Sequence, residues 1–186
     1  MFKPLLRGEH VFLSTLTPED AATAGDWFSD AEFMRLFDTR PAQPRTTASL
    51  ARWFKRALAS PRDYFFGVRL LESGMLIGLV MLDGIDWANG AAGIAVAIGE
   101  TPQRGRGYGS EAAALALDFA FRELNLHCIS ATVFSYNIAS IALFEKLGFT
   151  HEGVHRERIH RDGQRFDMLL FGLLRPEWEA RRSLPG

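Results

Sequence analysis

The stretch Pro102-Gln103-Arg104-Gly105-Arg106-Gly107-Tyr108-Gly109-Ser110-Glu111 holds the densest chemistry in the chain. Three alternating glycines stand directly before an alanine-rich segment with helical character. Such a loop can turn successive backbone N–H groups toward one point, and the dipole of the following helix adds partial positive charge there. Glycine lets a ligand approach the backbone closely. A diphosphate is the natural occupant, with Arg104 and Arg106 available to add charge. Other phosphate motifs fit less well. A nucleotide P-loop ends in Gly-Lys-Ser/Thr, which does not occur, and a dinucleotide fingerprint requires glycine at position 110, which is serine. The plainer alternative is an arginine–glycine turn that merely joins strand to helix.

A second pattern, His151-Glu152-Gly153-Val154-His155, matches the H-E-x-x-H motif of zinc hydrolases. That chemistry needs both histidines on one helical face with the glutamate as base. Here the segment follows a Leu-Gly helix ending, carries Gly153 inside, and reads as a strand. Residues four apart on a strand lie roughly 13 Å from each other, too far to share one zinc. Position 161 is arginine where a longer metalloprotease pattern would place a third histidine. No metal site is expected, and His10, His127 and His160 read as surface or packing residues.

The elements that must position the loop follow from periodicity. His10 to Leu16 reads as a strand, and Thr17-Pro18-Glu19-Asp20 as the start of a helix running to about Ser29, with Thr17 as cap. Asp38 to Arg45, interrupted by Pro41 and Pro44, is the softest segment. Thr47 to Ala59 places Leu50, Trp53, Phe54 and Leu58 on one helical face. Three strand-like runs follow, Tyr64–Leu71, Met75–Asp83 and Ala91–Ile98, joined at Glu72-Ser73-Gly74 and Asn89-Gly90. After the glycine loop come a helix over Ser110–Leu124, a strand over His127–Phe134 and a helix over Asn137–Leu147. Strands over Phe149–Ile159 and Arg165–Leu174, joined at Asp162-Gly163, end the series. The order β, α, α, β, β, β, α, β, α, β, β predicts one mixed α/β sheet with helices on both faces. Most aromatics fall inside these elements as core, including Phe119, Phe121, Phe144, Phe149 and Phe171. Trp27, Phe28, Phe33 and Phe37 also read as core, at amphipathic spacing.

Composition bounds the rest. The chain has 186 residues, with 47% hydrophobic and 23% charged, which suits one globular domain spanning residues 1–186. A net charge of -1 argues against phosphate-driven nucleic-acid binding. Cys128 is the single cysteine, which leaves no intramolecular disulfide and suits a cytoplasmic location. No apolar run is long enough to span a membrane, and the amino terminus lacks a signal-peptide core. Neither a membrane nor a nucleic acid is therefore an expected partner.

The motif Arg104-x-x-Gly107-x-Gly109, after a strand and before a helix, resembles the acetyl-CoA signature of the GCN5-related N-acetyltransferase (GNAT) superfamily. Asn137-Ile138-Ala139-Ser140-Ile141-Ala142-Leu143-Phe144-Glu145-Lys146-Leu147-Gly148-Phe149 resembles that family's next motif, in the same order and spacing. The opening Leu6-Arg7-Gly8-Glu9 and the close Leu173-Leu174-Arg175-Pro176-Glu177-Trp178 are most similar to the branch that includes ribosomal-protein alanine N-acetyltransferases.

The resemblance implies a GNAT-like α+β fold: a mostly antiparallel sheet of about seven strands whose central pair, Ala91–Ile98 and His127–Phe134, splays apart. It implies acetyl-CoA as co-substrate, with no metal. Val96, Ala97 and Ile98 would meet the pantetheine and thioester, and Arg104, Gly105, Arg106, Gly107, Tyr108, Gly109 and Ser110 would hold the diphosphate. Asn137 would bond the pantetheine amides, and an N–H near Ile98 would polarise the acetyl carbonyl. An amine would attack the thioester directly after losing a proton to a base or a water relay. Glu100, Glu157 and Tyr136 are the candidates for that base. Many relatives place tyrosine, as acid for the leaving thiolate, where this chain has Phe144, and Ser140 is the alternative donor. The acceptor is a protein amino terminus, a polyamine or a small amine, and the first helical region, with Trp27, Phe28, Phe33 and Phe37, would border its cleft as the alternative to a core role. A non-catalytic acyl-CoA-binding or regulatory protein on the same fold is the rival reading. Edge strands and the C-terminal hairpin are compatible with a homodimer.

Overall fold

The computed structural model describes residues 4–182. The chain opens with two short strands, β1 (Leu6–Arg7) and β2 (Val11–Ser14), and β2 buries Val11 and Leu13. The expected first helix is present, and a second that the sequence reading did not place follows it directly. α1 (Asp20–Trp27) begins later than Thr17, because Asp20 Oδ2 accepts the Thr17 N–H at 2.8 Å and holds Pro18 and Glu19 in a turn. It ends where Asp30, in extended backbone, accepts the Phe33 N–H at 2.8 Å and so caps a new helix, α2 (Ala31–Phe37). Thr46 caps α3 (Thr47–Leu58) in the same way, accepting from Ser49 N at 3.2 Å. α3 buries Leu50, Phe54 and Ala57 but leaves Leu58 at 44% exposure, one step outside the apolar stripe.

β3 (Tyr64–Leu70), β4 (Leu76–Asp86) and β5 (Ala91–Ile98) form an antiparallel meander. β4 is buried without a break from Leu76 to Leu82, as a strand covered on both faces must be. The chain then crosses through α4 (Tyr108–Arg122) to β6 (Cys128–Phe134), and through α5 (Ile138–Leu147) to the hairpin β7 (Thr150–Arg161) and β8 (Gln164–Leu174). A last helix, α6 (Arg175–Arg182), sets Trp178 against Phe121 at a ring separation of 5.0 Å. The strands form one eight-stranded sheet in the order β1-β2-β3-β4-β5-β6-β8-β7. The strand beyond the expected seven is β1, whose two residues are too few for alternation to betray. Leu79, Met81 and Ala95 pack on one face with α1, α2 and α3. Val80, Leu82 and Ile94 pack on the other with α4 and α5.

Every neighbouring pair in the sheet is antiparallel except β5–β6. That parallel pair joins only Ala91, Ala92 and Gly93 to Cys128, Ile129 and Ser130. Beyond Gly93 the strands part, β5 staying with β4 as far as Ile98 and β6 staying with β8 as far as Phe134. The β6-facing backbone groups of Ile94–Ile98 thus form an open edge in the middle of the sheet, which an extended ligand can pair with.

Candidate active site

The glycine loop begins beyond a single 3-10 turn at Thr101–Gln103. Gly105 and Gly107 have φ of 74° and 86°, in the left-handed region, and a Cβ at either would meet no protein atom within 4 Å. Their freedom from a side chain leaves space for a ligand rather than for packing. Gly107 starts α4 without any side-chain cap, and its carbonyl accepts from Glu111 N at 3.0 Å. The N–H groups of Tyr108, Gly109 and Ser110 are left without helical partners, and the dipole concentrates positive charge on them. Gly109 serves a different purpose. A Cβ there would crowd Leu143 and Ile98, so this glycine lets the start of α4 approach both α5 and β5.

A cavity of about 390 Å³ joins the loop to the open strand edge. β5 contributes Val96, Ala97 and Ile98, and the loop and α4 contribute Arg104, Gly105, Gly107, Gly109 and Ser110. Asn137 and one face of α5 (Ser140, Leu143 and Lys146) close one side, and Phe33, Leu36 and Phe37 of α2 close another. Arg106 and Tyr108 do not line it. Arg106 is exposed, and Tyr108 packs on the core with its ring 6.1 Å from His10. Lys146 and Leu36 were not anticipated, since no local motif marks them, whereas Phe33 and Phe37 take the cleft-lining place that stood as the alternative to a purely core role. For Lys146 the available signal was its helical spacing from Ser140 and Leu143.

Two residues expected to face the cofactor have partners inside the protein. The Arg104 guanidinium donates from Nε to Ile98 O at 3.0 Å and from its second nitrogen to Gly99 O at 3.1 Å, tying the loop to the end of β5. Asn137 caps α5, its Oδ1 accepting from Ser140 N at 3.2 Å, and its Nδ2 lies 3.5 Å from Leu36 O. Glu111, one turn into α4, accepts from His10 N at 2.8 Å and Val11 N at 3.1 Å, and contacts His10 Nδ1 at 3.1 Å. Burial would raise its carboxyl, but these backbone donors outweigh that and hold it below the usual glutamate range.

The acid–base candidates separate. Glu100 stands two residues beyond Ile98, and the buried Trp27 indole donates to its Oε1 at 2.9 Å. The Trp27 ring lies flush on Gly99, where any Cβ would collide with it. Trp27, read from sequence as core, also orients a carboxylate. Glu157 is exposed on a bulge of β7 with φ of 52°, its N–H donating to Asp167 Oδ1 at 2.7 Å; neither it nor Glu100 lines a described cavity, but Glu100 follows directly on the cavity-lining end of β5. Tyr136 donates its hydroxyl to Arg35 O at 2.7 Å; burial raises its phenol above the usual value. Phe144 is buried against Phe149, with rings 5.0 Å apart, whereas Ser140 reaches the cavity. His151 and His155 lie on strand β7, and among the described residues no group of His, Cys, Asp or Glu is set to hold a metal. No described helix is long and apolar enough to cross a membrane.

The splayed parallel pair sets an open strand edge beside a helix start without a side-chain cap, a combination suited to an extended, anionic ligand. Residues 10–150 match the family model described as an acetyltransferase (GNAT) domain, and the chain belongs to that family. An SPbeta prophage-derived N-acetyltransferase, YokL, of Bacillus subtilis (strain 168) is 33% identical over 176 residues, covering 95% of this chain and 96% of the relative. A second B. subtilis relative, YdaF, provisionally named a ribosomal N-acetyltransferase, is 31% identical over 185 residues, covering 94% and 96%. The solved spermidine N-acetyltransferase from Vibrio cholerae, in complex with CoA and spermine, superposes with a TM-score of 0.83 at 23% identity, covering 91% of this chain and 98% of that one. The chain is an N-acetyltransferase, moving an acetyl group to an amine.

Proposed function

We propose that this chain transfers acetyl from acetyl-CoA to a primary amine by direct attack on the thioester. The carrying observation is the single cavity that joins the unpaired edge of β5, the glycine cradle and the Ser140 face of α5. The residues fit the co-substrate: the free N–H groups of Tyr108, Gly109 and Ser110 suit a diphosphate, and Lys146 adds charge. Val96, Ala97 and Ile98 offer an extended edge to the pantetheine amides, supported by Asn137, and an N–H near Ile98 polarises the acetyl carbonyl. The amine nitrogen bonds to the carbonyl carbon as the carbon–sulfur bond breaks. Glu100 takes the amine's proton, directly or through water, and Ser140 donates a hydrogen bond to the departing sulfur, which takes its proton from solvent. Glu157 is the second candidate for the base. A free thiol has a pKa of about 8.5, so the sulfur leaves tolerably well even without tyrosine at position 144.

The test is isothermal titration with acetyl-CoA in chelator-containing buffer, followed by an acetylation assay over protein amino termini, polyamines and small amines. One saturable site per chain and acetylated product support the reading. Absence of binding removes it, and binding without turnover on any amine leaves the non-catalytic acyl-CoA-binding role.

A further inference from the structure

A second cavity, of about 290 Å³, lies at the narrow end of the splay. Leu36, Phe37, Val96, Asn137 and Ser140 line both cavities, so the two adjoin. Ser130 and Thr132 of β6 give the second cavity a polar wall, and Asp83 of β4 is the one charged residue lining it among those described.

Asp83 is placed there by specific features. It pairs across β4–β5 with Gly93, where the ladder register shifts and Gly84 takes φ of 60°. Bulges of this kind re-aim side chains. A Cβ at Gly93 would collide with Asp83 Oδ1, so the absence of a side chain at 93 makes room for the carboxylate. Among the described residues, no other residue donates a hydrogen bond to that carboxylate. Burial of the carboxyl, and after it the neighbouring Asp63 carboxylate, push Asp83 above the usual aspartate range, although the residue as a whole is exposed. Asp63 is itself engaged, accepting from Gly84 N at 2.9 Å. A carboxylate beside another carboxylate, with no donor but its own backbone N–H, gains most from a cation.

Distance decides what that cation is. Gly93, opposite Asp83, precedes Val96 by three residues, about 10 Å along an extended strand. That is beyond the reach of a general base, which must lie within about 3 Å of the proton it takes. It suits a second charge on the acceptor. We infer that Asp83 is the specificity residue of the acceptor site, pairing with a distal ammonium of a diamine or polyamine whose other nitrogen reaches the thioester. This rests on the acetyl-transfer reading above.

The experiment measures binding of 1,6-diaminohexane and of n-hexylamine to the wild type and to Asp83→Asn, with and without CoA, alongside turnover of both amines. The expected result is that the wild type prefers the diamine, and that the preference falls about fivefold or more in Asp83→Asn at an unchanged unfolding temperature. An unchanged preference, or no diamine binding by the wild type, overturns the inference. Asp83-dependent diamine binding without acetylated product upholds the inference and removes the catalytic reading instead.

Discussion

At Gly107 the backbone sits at φ 86° facing open space, so two effects of a side chain can be measured apart. Gly107→Ala is expected to cost about 1 kcal/mol of stability from left-handed strain alone, read by denaturant unfolding. Gly107→Val is expected to add a loss of acetyl-CoA affinity, read by titration, because its branches enter the ligand's space; unchanged affinity would remove the cradle assignment. Glu100→Gln is expected to lower kcat on the order of a hundredfold while leaving acetyl-CoA affinity intact. Trp27→Phe keeps the ring on Gly99 and removes the indole donor to Glu100, with an expected fall in kcat of about fivefold. If Glu100→Gln turns over normally, the base is Glu157 or water, and Trp27→Phe should then also be silent.

The helix α4 depends on a clasp at its start. Glu111 receives the N–H groups of His10 and Val11, and so pins the β1–β2 turn against the first turn of α4. Its carboxyl is held below the usual glutamate value of 4.5, so its stabilisation is fully present above that value and disappears as pH falls through the lower folded value. The unfolding midpoint is therefore expected to drop below about pH 4.5, and Glu111→Gln should flatten that drop while lowering stability at neutral pH. A wild-type and variant pair that lose stability in parallel on acidification would assign the acid sensitivity to other carboxylates. On α5 the face that lines the cavity is set by helical spacing, whereas Phe144 points into the core against Phe149 and Phe171.

At the scale of the molecule, the tip of the β7–β8 hairpin is tied to α2 and the chain that follows it. Arg35 pairs with Asp162 through two bonds of 2.5 and 2.7 Å, and Arg161 donates to Asp38 O at 2.8 Å and to Arg40 O at 3.3 Å. Asp38 in turn accepts from Arg40 and Arg45. Burial would raise its carboxyl, but Arg40 and then Arg45 hold it below the usual aspartate range. The segment from Asp38 to Arg45, soft by its prolines, is thus anchored by chain more than a hundred residues distant. Arg161→Ala is expected to speed amide hydrogen exchange over residues 35–40 and leave α4 unchanged. Equal exchange in the wild type and Arg161→Ala would mean that the packing of Phe33 and Phe37 holds the segment by itself.

What was legible in the sequence was what local physics dictates. Three alternating glycines before an alanine-rich run leave few other uses for that backbone, and Asn137 ahead of Ile-Ala-Ser is a helix cap whatever surrounds it. Periods of 2 and 3.6 located most strands and helices and hence the mixed sheet. They missed α2, whose seven residues after the Asp30 cap are too few to show a helical period clearly, and β1, which is shorter still. Tertiary structure alone decided which side chains share a cavity. Lys146 and Phe33 line one cavity and Asp83 the adjoining one; they come from three separate elements, and the sheet order that gathers them around the splay depends on long-range strand pairing. It also turned the Arg104 guanidinium onto β5 and made Trp27 a partner of Glu100, 73 positions away, because a hydrogen bond depends on distance in space and a sequence records only distance along the chain.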